Sequence, residues 1–156
     1  MESKVSVISQ EFDDFEWKED KGTYTLQNNA KVKLLIEDGT EIHKIVTFTF
    51  KKGFKCDGLS VPRIFQWFIP KWDWNNMLFN LAGAIHDALY GNKGFKKFTR
   101  DDSDAIFRSL LRHSGYNRFH ASLADFMLGL FACLHWGDDS YKCKKLVTMT
   151  YKKEDK

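Results

Sequence analysis

Four residues in the second half of the chain have side chains suited to acid–base or metal chemistry: His86, Asp87, Tyr90 and Asp104. On a helix that turns by about 100° per residue, His86 lies at the edge of an apolar stripe and Tyr90 follows one turn later on the same side. Asp87 points roughly 100° away from His86. Asp104 lies at the edge of a second apolar stripe, on the next predicted helix. Because two helices joined by a short loop are usually antiparallel neighbours, we expect His86 and Asp104 to meet.

The expected pair of His86 and Asp104 is typical of a general base. An aspartate that holds one imidazole nitrogen fixes the tautomer and leaves the other nitrogen to take a proton from water. Asp87 would then be free to bind a hard cation, together with oxygens from the segment Asp57–Pro62. The alternative is a structural hydrogen bond that ties the two helices together. The spacing of His86 and Asp104 fits both a general base and a structural hydrogen bond.

Antiparallel strands are predicted in the first third of the chain. Asp38-Gly39 separates two runs of strand-forming residues, which is a strong hairpin signal because both central residues of the tight turn need a positive φ. Gly22 joins two shorter candidates in the same way. The predicted strands are Glu16–Lys18, Thr23–Leu26, Lys31–Ile36 and Glu41–Phe50.

Helices are predicted from Trp74 onward. Each has a capping residue before its first turn: Asp73, then Thr99 with Asp102 at capping-box spacing, and finally Asn117. Glycine follows each predicted end. The predicted helices run over Trp74–Tyr90, from Thr99 to His113, and over Arg118–Trp136.

The predicted fold is therefore α+β: an N-terminal antiparallel sheet of β-hairpins followed by a three-helix C-terminal part. The whole chain, 1–156, is expected to form a single domain. It divides into a strand-rich part (1–55), an aromatic loop (56–73), a helical part (74–137) and a C-terminal tail (138–156). Within the tail, Tyr141–Tyr151 is a candidate edge strand, and the residues after Tyr151 are expected to fray.

Composition narrows the classes of function. Hydrophobic residues make up 43% of the chain, enough for one core, and the formal net charge of +3 is too small to predict a nucleic-acid partner. The three cysteines form no disulfide or metal-ligand pattern, which favours a reducing compartment. The N-terminus does not resemble a signal peptide. The most apolar run, Phe126–Leu134, is about half the length of a transmembrane helix, so none is predicted.

The aromatic loop is the second candidate for function. It concentrates bulky rings within ten residues, including Trp67 and Trp72. These rings either form a lid buried on the helices or an exposed rim that contacts a membrane surface or a partner protein. Ser60 and Arg63 precede the rings, and we include them with the two tryptophans in a predicted substrate or partner surface.

The run from Gly53 to Phe107 resembles a family of short, mostly phage-encoded proteins called domain of unknown function 1353. The family pattern has an Asp-Gly-x-Ser-x-Pro-Arg loop, a His-Asp-x-x-Tyr helix, and Arg-x-x-x-Asp-x-x-Phe. The resemblance implies a phage origin, a location in the host cytoplasm or virion, and no settled activity. The matching residues are Asp57, Gly58, Ser60, Pro62, Arg63, His86, Asp87, Tyr90, Arg100, Asp104 and Phe107.

The helix pair also resembles that of phospholipase A2 enzymes, whose helix carries His-Asp-x-x-Tyr and whose partner helix supplies an aspartate. The resemblance implies that His86 is the base for the attacking water and that Asp87 binds Ca²⁺. Tyr90 and Asp104 would orient the histidine. The calcium loop of those enzymes is rich in glycine, whereas the corresponding loop here has Gly58 as its only glycine.

Three functions remain as hypotheses. The first is a phage-encoded, phospholipase-A2-like hydrolase that acts on an ester with a His/Asp pair and a divalent ion, at a lipid or membrane surface. The second is a non-enzymatic virion, tail or assembly protein that docks onto other phage proteins through its Trp-rich loop. The third is a lysis-associated cell-wall hydrolase. The sequence predicts no oligomeric state.

Overall fold

The computed structural model describes residues 3–58, 70–116, 136–137 and 144–155 of the 156. Within these residues, seven strands form two antiparallel sheets, and two α-helices lie between the sixth and seventh strands. The strands are β1 (Ser6–Phe12), β2 (Trp17–Asp20), β3 (Thr23–Leu26), β4 (Ala30–Glu37), β5 (Ile42–Phe50), β6 (Lys55–Cys56) and β7 (Val147–Asp155). The helices are α1 (Met77–Gly91) and α2 (Arg100–His113), with 3₁₀ turns at Lys93–Lys96 and Lys144–Leu146.

The larger sheet has the order β1-β4-β5-β7. Its centre is the hairpin of β4 and β5, and the prediction of this hairpin is confirmed. The expected tight turn at Asp38-Gly39 is wrong, because four residues, 38–41, separate the strands and Asp38 does not have a positive φ. Gly39 has a φ of 81°, which glycine adopts without strain. The alternation along β5 places Val46, Phe48 and Phe50 in the core, as period two predicts.

The smaller sheet has the order β2-β3-β6. The predicted connection through Gly22 is also confirmed, since Lys21 and Gly22 have φ values of 50° and 79° between the paired strands β2 and β3. Positive φ at both central residues matches the right-handed twist of the flanking strands. β6 then pairs with β3 and leads directly to Asp57 and Gly58.

The predicted order of an N-terminal sheet followed by a three-helix C-terminal part is wrong. The described residues contain two helices rather than three, and the chain then returns to the larger sheet as β7, which pairs with β5 from Phe50↔Val147 to Ile42↔Asp155. Apolar Val147, Met149 and Tyr151 alternate with polar residues in β7, so this segment suits the open edge of β5. The expected fraying after Tyr151 is wrong for the same reason. The predicted third helix, Arg118–Trp136, lies outside the described residues except for Trp136.

One hydrophobic core joins the two sheets and the two helices. The helices pack against each other, α2 contacts β1, and α1 contacts β6. Ser109 of α2 forms a hydrogen bond to β1, in which its Oγ accepts from the amide of Val7 at 2.9 Å. The largest fully buried side chains are Leu26, Leu34, Ile36, Phe48, Phe50, Phe54, Phe79, Leu81, Ile85, Leu89, Ile106 and Leu110.

The two helices begin at caps of different kinds. Thr99 and Asp102 form the predicted capping box at the start of α2, with distances of 3.1 and 3.0 Å. The cap of α1 is Asn76, whose Oδ1 accepts from the amide of Phe79 at 3.1 Å, and not Asp73. The backbone of Asp73 is instead bound by the side chain of Asn80, which holds it ahead of the helix. No helix in the described part of the chain is long and apolar enough to cross a bilayer.

A left-handed turn follows α1. Lys93, Gly94, Phe95 and Lys96 have φ values of 50°, 64°, 52° and 61°. A left-handed conformation costs roughly 1–2 kcal/mol for each residue that has a side chain. Three of these four residues have a side chain, so contacts with the surrounding structure must stabilise the turn. The ring of Phe95 supplies one such contact, at 6.2 Å from the ring of Phe48 in the larger sheet.

Candidate functional site

The structure brings three of the predicted site residues together on one carboxylate oxygen. His86 Nε2 lies 3.1 Å from Asp104 Oδ1, and the hydroxyl of Tyr90 donates to the same oxygen at 2.5 Å. The histidine and the tyrosine come from α1, and the aspartate comes from α2. The expected meeting of His86 and Asp104 across the helix pair is thus observed.

Aromatic rings surround this group. The rings of His86 and Tyr90 lie 4.1 Å apart, and Phe107 lies 4.9 Å from His86. Trp136 places its ring edge-on against Tyr90 at 5.1 Å. About 10% of the His86 side chain and 16% of the Asp104 side chain remain accessible, so His86 is buried, Asp104 is partly buried, and solvent reaches both.

The hydrogen bonds indicate which nitrogen of His86 carries the proton. A carboxylate can only accept hydrogen bonds, so Asp104 requires Nε2–H as the donor in a neutral imidazole. Nδ1 is then the unprotonated nitrogen, the form that a general base needs. Burial, followed by the hydrogen bond to Asp104 and its charge, raises the pKa of Tyr90, which keeps the phenol protonated as a donor.

Asp87 lies on a different side of α1 and forms a second feature of the site. It is half-buried, and burial followed by the negative charge of Asp57 raises its pKa to about 7. Asp57 is exposed and accepts a hydrogen bond from Thr23 Oγ1 at 3.4 Å. The two predicted metal ligands are therefore close enough to repel each other.

The donor chemistry at Asp87 and Asp57 fits a hard cation. Ca²⁺ takes about six to eight oxygen ligands from carboxylates, carbonyl groups and water, and a cation would offset the repulsion between the two aspartates. Among the residues that the structure describes, no group of three or more His, Cys, Asp or Glu side chains is arranged to hold a metal ion. The described ligands would thus form part of a coordination shell.

The sequence match to a known family includes every residue of this group of three. A profile described as "Protein of unknown function (DUF1353)" matches residues 34–126, more than half of the chain. The chain belongs to the DUF1353 family. No curated protein and no solved structure matches it.

The DUF1353 match also includes the loop that begins at Asp57 and Gly58. Gly58 is buried with a φ of 73°, and a Cβ atom there would lie 2.4 Å from the carbonyl oxygen of Lys71. Only glycine permits this approach, which brings the two ends of the intervening segment together. The predicted surface residues Ser60, Arg63 and Trp67 fall on 59–69, outside the described residues.

Trp72 and Trp74, which follow this loop, have opposite environments. Trp72 is buried, with its ring stacked on Tyr24 at 3.8 Å and edge-on to Trp17 at 5.2 Å. Trp74 is 59% exposed and touches the same cluster from outside, at 5.8 Å from Trp72. Of the two, Trp74 is the one that a lipid or a partner could reach.

Trp136 is a neighbour of the group formed by His86, Tyr90 and Asp104 that could not be predicted from the sequence. Besides contacting Tyr90, this residue precedes Gly137, whose amide donates to the carbonyl oxygen of Tyr90 at 2.8 Å. The sequence offers no signal for this contact, because Trp136 is the last residue of a predicted helix and Tyr90 is distant from it in the chain.

Proposed function

We propose that this protein is a small hydrolase of the phospholipase A2 type with His86 as its general base. The supporting observation is the single oxygen, Asp104 Oδ1, that receives both His86 Nε2 at 3.1 Å and the Tyr90 hydroxyl at 2.5 Å. A carboxylate that is held by a second donor keeps a fixed position, and it therefore fixes both the tautomer and the orientation of the imidazole.

In the proposed reaction His86 transfers a proton twice, and Asp104 stabilises the charged form of His86 between the two transfers. His86 Nδ1 accepts a proton from water as the water oxygen attacks the ester carbonyl carbon. The negative charge of Asp104 stabilises the imidazolium that forms. As the carbon–oxygen bond of the ester breaks, His86 returns the proton to the leaving alkoxide, and the products are a carboxylic acid and an alcohol.

Asp87 and Asp57 would hold a divalent cation, Ca²⁺ being the best match to their oxygen donors. When bound, such an ion supplies positive charge that stabilises an oxyanion. The raised pKa of Asp87 supports this assignment, because the charge of the carboxylate is otherwise poorly compensated. We further propose a phage origin and a lipid surface as the site of action.

Turnover of phospholipid vesicles and of a short-chain phospholipid, with Ca²⁺ or with EDTA, tests the hydrolase proposal. The matched variants are His86→Ala and His113→Ala, since His113 is an exposed histidine of α2 that contacts Gln10. A general base typically increases the reaction rate about 100- to 10,000-fold, so we expect His86→Ala to lower turnover by that factor and His113→Ala to leave it unchanged. Equal turnover by His86→Ala and the wild-type protein would contradict the proposal.

An assembly protein that docks through its aromatic surface is the second candidate. The exposed ring of Trp74 favours it, because a large apolar side chain in water suits a contact surface. This function predicts that the protein is retained in purified particles, and that Trp74→Ala releases it whereas His86→Ala does not. Loss of hydrolysis in His86→Ala without loss from particles would favour the enzyme.

A further inference from the structure

A cleft that does not include His86 lies between the left-handed turn and β7. It has a volume of about 370 Å³ and opens to solvent. The turn contributes Lys96 and is followed by Lys97, while β7 contributes Met149 and Tyr151. The complete lining is Asn92, Phe95, Lys96, Lys97, Met149 and Tyr151.

The walls of this cleft differ in character. Phe95, Met149 and Tyr151 provide apolar surface, and they are each partly buried against the hydrophobic core. Lys96 and Lys97 provide two ammonium groups, and Lys97 Nζ lies over the ring of Tyr151 at 5.3 Å from its centre. The cleft therefore offers a cationic end beside an aromatic and aliphatic end.

Positive charge accumulates further along the same face of β7. Lys153 lies two residues beyond Tyr151 and is paired with Lys44 across the sheet. Lys44 forms an ion pair with Asp38, yet burial and then the charge of Lys153 lower its pKa. None of the ion pairs formed within the described part of the chain includes Lys96, Lys97 or Lys153.

The backbone that presents Lys96 is strained. Phe95 and Lys96 both have a positive φ, at 52° and 61°, although each has a side chain. Strained backbone of this kind persists where the surrounding structure enforces it, and it is common at ligand sites. Here the strained residues are the ones that line the cleft with a ring and an ammonium group.

We propose that this cleft binds the phosphate group of an amphiphilic organic phosphate, with the apolar part of the ligand against Phe95, Met149 and Tyr151. A phosphate monoester carries up to two negative charges and three acceptor oxygens, which suit two lysines with three donors each. Lysine is a common phosphate ligand. The ligand could come from a lipid headgroup or from a soluble ester. The proposal does not rest on hydrolysis at His86.

Amide chemical-shift titrations with inorganic phosphate and with hexyl phosphate test this site. We expect both probes to shift the amides of Asn92–Lys97 and of β7, and hexyl phosphate to bind more tightly because its alkyl chain reaches the apolar wall. Co-sedimentation with phosphatidic acid and phosphatidylcholine vesicles distinguishes the sources, because only phosphatidic acid presents a phosphate monoester. Binding to phosphatidic acid vesicles indicates a headgroup, whereas binding to hexyl phosphate alone indicates a soluble ester.

The variant Lys96→Gln/Lys97→Gln should weaken the binding of hexyl phosphate by about tenfold or more, since the loss of one charge-assisted hydrogen bond already accounts for about that factor. Lys51→Gln/Lys52→Gln removes the same charge from an exposed pair elsewhere and should leave binding unchanged. Met149→Glu tests the same cleft without altering the turn, and it should abolish binding. His86→Ala should bind normally. Absence of shifts with both probes, or equal weakening in the two lysine variants, would overturn the proposal.

Discussion

Replacement of Asp87 by asparagine should make the protein more stable at neutral and alkaline pH. The side chain is half-buried on α1, and burial together with the charge of Asp57 raises its pKa from the ordinary 3.8 to about 7. The folded protein therefore holds a proton on Asp87 over a pH range in which the unfolded chain has lost it. The stability that protonation contributes is complete below about pH 4 and is lost as the pH rises to 7 and above.

The gain in stability expected of Asp87→Asn can be calculated from the shift in the pKa of Asp87. At about 1.4 kcal/mol for each pKa unit, the change from 3.8 to about 7 gives an upper limit of roughly 4 kcal/mol. Because Asp87 is only half-buried, water screens part of this penalty, and we expect about 2 kcal/mol. In a chain of this length, such a change raises the melting temperature by about 4–8 °C. Asparagine removes the charge with almost no change in volume, so the gain should appear at pH 8 and vanish near pH 4.

Urea unfolding followed by tryptophan fluorescence between pH 4 and 8, in EDTA, measures this difference. Asp20→Asn is the matched control, since Asp20 is an exposed residue at the end of β2. A difference between Asp87→Asn and the wild-type protein that does not change with pH would refute the reasoning. So would an Asp87→Asn protein that is the less stable of the two at pH 8.

Four further outcomes are expected. Adding Ca²⁺ should raise the melting temperature of the wild-type protein but not that of Asp87→Asn, as thermal scans can show. Tyr90→Phe removes the hydrogen bond to Asp104 and should lower the free energy of unfolding by about 2 kcal/mol in urea titrations. Gly58→Ala should lower the free energy of unfolding by more than about 1 kcal/mol, because the added Cβ would clash with the backbone of Lys71. Thr99→Ala removes the cap of α2 and should lower it by about 1 kcal/mol in the same assay.

The features that could be predicted from the sequence depend on residues close together in the chain. The hairpin at Asp38-Gly39 and the capping box of Thr99 and Asp102 each involve neighbours within a few positions. The pairing of His86 with Asp104 was predictable for a related reason, because a short connection forces α1 and α2 to pack together.

The features that were missed depend on contacts between distant segments or on a choice between similar residues. The candidate edge strand Tyr141–Tyr151 is confirmed from Val147 on, but its partner β5 and its continuation to Asp155 were not predicted, because the open edge of the larger sheet sets this pairing. Asp73 and Asn76 are both good caps, and the side chain of Asn80 decides between them by binding the backbone of Asp73. The contact of Trp136 with Tyr90 is likewise set by the tertiary fold.

The place of β7 in the chain, after both helices, has a consequence for biosynthesis. β4 and β5 can form their hairpin as soon as they leave the ribosome, but the other edge of β5 has no partner until β7 has been made. An unpaired strand edge that carries residues such as Val46 and Phe48 is prone to pair with other chains. Pairing of such distant strands is also slow. A nascent chain should therefore pass through an aggregation-prone interval that ends only when β7 docks.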